Sequence, residues 1–188
     1  MIESTWLASD DPIQLLREPL LSRASDRKAL LAALACWHQS GDFAVEGSDR
    51  MFAAMKKYAD GVFTRDQLDR AFVDEAVHDG APFGAFDRRE AELYFHDTRI
   101  DASILSQIVR DIFGNPFRPV AFDPVWRTAD TTGIAARMYE SRDFAAMPIL
   151  ADALEEAGCA NPDVLLHCRE PVVHVRGCWV VDSVLGKC

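Results

Sequence analysis

The sequence has no apolar run long enough to cross a membrane as a helix, and its start, Met1-Ile2-Glu3-Ser4-Thr5-Trp6, has no basic stretch leading into an apolar one. Neither a secretory leader nor a membrane anchor is expected from such a beginning. Basic residues are in short supply: 20 Lys and Arg stand against 30 Asp and Glu, for a net charge of −10. That field repels phosphate backbones and anionic headgroups, which disfavours nucleic acid and membrane surfaces as partners. The one local exception is the crowding of Arg17, Arg23, Arg27 and Lys28. Cys-x-x-Cys knuckles are missing as well, and the five cysteines are an odd number. Reduced thiols in a cytoplasmic protein follow. There is also no Gly-x-Ser-x-Gly elbow, no Gly-x-x-x-x-Gly-Lys phosphate loop and no Gly-x-Gly-x-x-Gly turn, so the familiar hydrolase, nucleotide and dinucleotide signatures are all lacking.

What is present suits a globular fold. Of the 188 residues, 49% are hydrophobic and 27% charged, a balance that buries a core and argues against disorder. The reading is an all-α chain, a compact multi-helix domain with short connectors, forming a single helical domain over residues 1–188.

Helix punctuation supports it. Asp11-Pro12 reads as a cap and first turn, with Pro19 as the limit of that helix. Ser25 opens a segment with Leu30, Leu31, Leu34 and Trp37 on one face, and Gly41 is its expected stop. A third helix starts near Ser48, presents Met51, Phe52, Met55 and Tyr58, and ends at Gly61. Thr64-Arg65-Asp66-Gln67 fits a capping box leading to Leu68 and Phe72, with Gly80 as terminator. Residues 80–98 show no single period and read as a loop followed by a short helix over 88–95. Asp101 caps a helix burying Ile104, Leu105, Ile108, Val109 and Ile112 and ending at Gly114. Past the connector Asn115-Pro116-Phe117-Arg118-Pro119, helices are expected over 132–139 and 148–157 and from Asn161-Pro162. The β-branched tail around Val180, Val181 and Val184 fits strand or helix, and Gly186 tips it toward helix.

Several strings taken in order have a familiar arrangement: Trp6-Leu7-Ala8, Ala24-Ser25-Asp26-Arg27-Lys28, Tyr58-Ala59-Asp60-Gly61, Arg110-Asp111-Ile112-Phe113-Gly114-Asn115-Pro116-Phe117-Arg118-Pro119, and His174-Val175-Arg176-Gly177-Cys178-Trp179-Val180-Val181-Asp182. In these the chain resembles a family of uncharacterised planctomycete proteins. The resemblance covers both ends and departs over residues 80–98 and beside Cys36, where Trp37 and His38 stand. It implies a helical fold and brings no activity, cofactor or substrate.

Chemistry-bearing residues concentrate near the end. Cys159, His167, Cys168, His174 and Cys178 supply the sulfur and nitrogen donors that zinc prefers. Buried, idle thiols are the alternative, and the favoured one, because free cysteine packs as a small apolar side chain. His167 and Cys168 are adjacent, so on a helix they point apart and do not easily share one ion. Around the proline-rich connector, Arg110, Asp111, Phe117 and Arg118 are candidate binding residues for another, basic protein, although for the arginine between the two prolines binding to this chain's own helix carbonyls or Asp residues is the favoured explanation. The dipeptides His78-Asp79 and His96-Asp97 are a weaker candidate for a metal-dependent hydrolase. Three readings therefore stand: a helical protein-interaction or accessory module without a cofactor, which is favoured; the same module stabilised by structural zinc; and an enzyme of unrecognised type.

Overall fold

A computed structural model of the chain describes residues 1–22, 24–39, 49–79, 95 and 100–187, leaving aside the side chains of 18–22, 49 and 75–79. Among the described residues the protein is all-α: ten helices, one 3-10 turn and no strand. The helices are α1 (Glu3–Ala8), α2 (Pro12–Ser22), α3 (Asp26–Gln39), α4 (Asp49–Ala59), α5 (Arg65–Asp79), α6 (Ala102–Phe113), α7 (Ala129–Ser141), α8 (Met147–Glu156), α9 (Pro162–Arg169) and α10 (Trp179–Leu185). Where the sequence reading carries one domain over 1–188, the chain groups into two compact units, dividing within α6 between Val109 and Arg110.

In the first unit, α3 packs on α4 and α4 on α5. The buried face of α3 is rich in alanine, with Ala29, Ala32 and Ala33 beside Leu30 and Leu34, and small side chains let neighbouring helices approach closely. Trp37 stacks on Phe52 of α4 with ring centroids 4.1 Å apart. Arg27 Nε donates to the Ala59 carbonyl at the end of α4 at 2.9 Å, which directs one member of the basic cluster inward. The capping box forms: Thr64 N–H donates to Gln67 Oε1 at 2.9 Å and Gln67 N–H to Thr64 Oγ1 at 3.3 Å. One helix end differs from expectation, since α2 runs through Pro19 to Ser22. Within a helix proline removes a single backbone donor, and the helix continues past that one lost bond. The stops expected at Gly41 and Gly80 and the helix expected over 88–95 lie outside the described residues, except for Phe95, a buried turn residue.

The second unit, from Arg110 onward, is built on α7 against α8, α8 against α9, and α10 against α7 and α9. Its core includes Met138, Met147, Leu150, Leu154, Val164, Val180, Val181 and Val184. Helix α7 begins at Ala129, earlier than the apolar period suggests, because Thr128 caps it by accepting the Thr131 amide. Asn161 accepts the amides of Asp163 and Val164 at the start of α9. The ambiguous tail is helix, closed by Gly186 at φ 68°. Leu30, Leu34, Phe72, Ile108 and Ile112, which the sequence places on apolar helix faces, are all buried, as are Leu150 and Leu154, and together they divide between the two units.

Two measurements check this packing. Leu150→Ala empties a fully buried position and should lower stability by about 2–5 kcal/mol in urea unfolding. Gly133 stands mid-helix in α7, and a Cβ built there meets nothing within 4 Å. Gly133→Ala should therefore raise stability by roughly 0.5–1 kcal/mol, the helix-propensity difference with no steric offset.

Candidate metal centre

The apolar period of α6 places Asp111 on its buried stripe, three residues after Ile108 and seven after Ile104. The carboxylate is accordingly 1% exposed, a costly position unless partners satisfy it. Three other segments bring those partners. His167 comes from the last turn of α9, His174 from the connector between α9 and α10, and Cys178 is the N-cap of α10. His174 Nδ1 lies 2.7 Å from Asp111 Oδ1, and His167 Nε2 lies 3.1 Å from the same oxygen. His167 Nε2 is also 3.2 Å from Cys178 Sγ. The other carboxylate oxygen, Oδ2, accepts the Val175 amide at 2.8 Å, which fixes the carboxylate plane and turns Oδ1 toward the imidazoles.

The donor atoms of Asp111, His167, His174 and Cys178 all lie within 4.8 Å of one another. This buried Asp/His/His/Cys cluster can hold a metal ion, since it offers one oxygen, two nitrogens and one sulfur. The centre is closed. Cys178 is fully buried, and the side chains of His174 and His167 are 6% and 14% exposed. Nε2 of His174 is buried without a hydrogen-bond partner, so the ring's polar engagement runs through Nδ1 into the cluster.

Packing sets the rings in place. His167 lies edge-on to His174 at 5.0 Å and tilted against Trp179 at 5.2 Å. Trp179 in turn rests on the α-carbon of Gly114, where a Cβ would come within 3.2 Å of its ring. Gly114 also has φ 64°. Both the left-handed turn that ends α6 and the close approach of the indole therefore require glycine here.

Electrostatics follow from burial and from these contacts. Burial raises the Asp111 carboxyl, but hydrogen bonds from His167 and His174 outweigh it and hold the group below the usual carboxylate range. Burial, reinforced by the Asp111 carboxylate, pushes the Cys178 thiol well above its ordinary value, with the Val181 amide opposing. Cysteine nucleophiles need the opposite shift. The geometry disfavours a catalytic triad too, because the carboxylate and the sulfur face the same nitrogen of His167, whereas a relay places them on opposite nitrogens.

The structure divides the sequence candidates differently from their first grouping. His167, His174 and Cys178 come together, while Cys159 and Cys168 are buried in the apolar core and are not among the four donors. Burial pushes the Cys168 thiol up to about 12 and raises Cys159 as well. His167 and Cys168 diverge, as adjacency on a helix requires. Asp111, first grouped with the binding residues, joins the histidines. Of the connector residues, Arg118 reaches Asp163 at 3.8 Å, Arg110 and Phe117 are half-buried, and the Asn115 side chain accepts the Phe117 amide at 2.9 Å. The side chains of His78-Asp79 and all of His96-Asp97 lie outside the described residues.

Asp111→Ala should cost about 3–5 kcal/mol in urea unfolding, since it removes the shared acceptor of two buried imidazoles and leaves the Val175 amide open. A loss near that of an exposed substitution would show the carboxylate to be dispensable. No family model, curated protein or solved structure matches the chain, and the functional reading rests on this geometry.

Proposed function

We propose that the second unit is a helical accessory module closed by a structural zinc ion, held by Asp111 Oδ1, His167 Nε2, His174 Nδ1 and Cys178 Sγ, and that it performs no chemistry of its own. The observation that carries the reading is the convergence of four donors of the right kinds on one buried point. A zinc ion bound by one carboxylate, one thiolate and two neutral imidazoles is electrically balanced, which suits a site with so little solvent. Structural zinc sites fill all four positions with protein, whereas catalytic ones leave a position open to water. Here all four donors are protein side chains and none is more than slightly exposed.

Size gives the ion a purpose. The compact unit that begins at Arg110 is small, near the range of about 70–80 residues where one core supplies limited stability and natural domains add a staple. The ligands come from α6, α9, the connector and the start of α10, so a single ion ties together segments whose helices are too short to stand alone.

Elemental analysis of protein purified without chelator or immobilised metal should find about one zinc per chain, and removal by a strong chelator should lower Tm. Cys178→Ser and His174→Ala should lose the metal, while Cys159→Ser and Cys168→Ala, outside the donor set, should retain it. Cobalt in place of zinc should give the visible bands of a tetrahedral, thiolate-bound ion. Metal-free protein whose Tm ignores both chelator and added zinc would overturn the reading, leaving the cluster as a charge-assisted Asp–His–His network.

A further inference from the structure

Helices α7 and α8 do not close completely on each other's outer edges. Between them runs a groove of about 500 Å³ at one end, lined by Asp130, Gly133 and Ile134 of α7 and Ile149, Asp152 and Glu156 of α8. It continues toward the α7–α8 turn past Ile134, Ile149 and Ala146. Three features of this surface have no role in the chain's own packing. Ile149 is 59% exposed although its helix has a well-filled buried face. Gly133 sits mid-helix at a position where a side chain would meet nothing within 4 Å, so no internal contact calls for the glycine. Asp130 and Glu156 carry no ion pair among the described residues, whereas Asp152 is held by Arg169 at 2.8 Å.

The pattern along each helix is a stripe. On α7 the groove residues include 130, 133, 134, 137 and 141, and on α8 149, 152, 153 and 156, preceded by 145 and 146 in the turn between the helices; within each helix these positions recur at three-and-four spacing, along one face. The middle of the groove is apolar, through Ile134, Ile149 and Ala153, and one end gathers Asp130, Asp152 and Glu156. Arg137 is the one cation among the described lining residues, so the surface stays net acidic.

We infer that this groove docks a basic amphipathic helix of another protein, whose apolar stripe covers Ile134, Ile149 and the open face of Gly133 while its Lys or Arg residues meet Asp130 and Glu156. Helix-in-groove recognition uses apolar anchors at one-turn spacing, and opposite charge at the rim sets orientation and excludes acidic competitors. The glycine leaves room for the anchor to approach the α7 backbone. None of the four metal-site donors lines the groove, so the inference stands apart from the zinc reading.

A labelled 14-residue peptide with a leucine stripe on one helical face and lysine elsewhere spans roughly 21 Å, close to the length of α7, and is the probe. Titrated with the whole chain and followed by fluorescence anisotropy, it should bind saturably at one site, more weakly as salt rises. Gly133→Leu, which fills the groove without opposing the helix, should weaken binding by at least about tenfold. Asp130→Asn with Glu156→Gln should weaken it and flatten the salt dependence. Glu170→Gln, outside the groove, should leave it unchanged. Circular dichroism confirms that each variant is folded. Binding that survives Gly133→Leu is adhesion to the chain's net charge and overturns the inference, as does equal binding of a glutamate version of the peptide, or no binding at all. A dimer seen in sedimentation and lost in Gly133→Leu assigns the groove to a second copy and overturns it too.

Discussion

The second unit depends on the burial of one carboxylate. Asp111 sits on the apolar stripe of α6 with 1% of its side chain exposed, and an ion placed there is tolerable only if the chain brings compensating groups to it. Those groups arrive from sequence positions 56 to 67 residues away: His167, His174, the Val175 amide and Cys178. Meeting that demand fixes where α9 ends, how the connector turns back and where α10 begins. Charge compensation therefore contributes to the topology as well as to local stability.

Apolar packing alone would not hold these segments in register. Helices α9 and α10 are eight and seven residues long, lengths at which isolated helices do not persist in water. The indole of Trp179 on Gly114 and the tilted His167 ring on Trp179 link the end of α6 to α10 through direct contact. A metal ion bound by the cluster would add to these contacts a bond network that tolerates little displacement, which is how small helical units commonly gain rigidity beyond what their cores provide.

The same unit presents a different chemistry on its outer surface. Where α7 and α8 bury their apolar faces, residues such as Met138, Leu150 and Leu154 are inaccessible, while the groove on the other side keeps Ile149 and Gly133 open beside the carboxylates of Asp130, Asp152 and Glu156. A groove preformed on a packed pair of helices would reduce the ordering cost of any association made there.

Much of the fold was legible in the sequence. The caps at Asp11, Ser25, Thr64, Asp101 and Asn161 and the terminators at Gly61, Gly114 and Gly186 mark helix ends through local backbone chemistry that needs no tertiary context. The all-α class followed from these and from the apolar period. Partners across space were another matter. Composition drew attention to Cys159, His167, Cys168, His174 and Cys178 as one group, but which of them converge depends on how α9 is rotated about its axis, and that rotation points His167 and Cys168 apart. Asp111 gave one local sign, a charge in phase with Ile104 and Ile108, yet nothing in its neighbourhood names the histidines that meet it. Helix ends are decided by the few residues around them, so the sequence by itself determines them; a four-donor centre is decided by the docking of distant segments, so only the tertiary structure could assemble it.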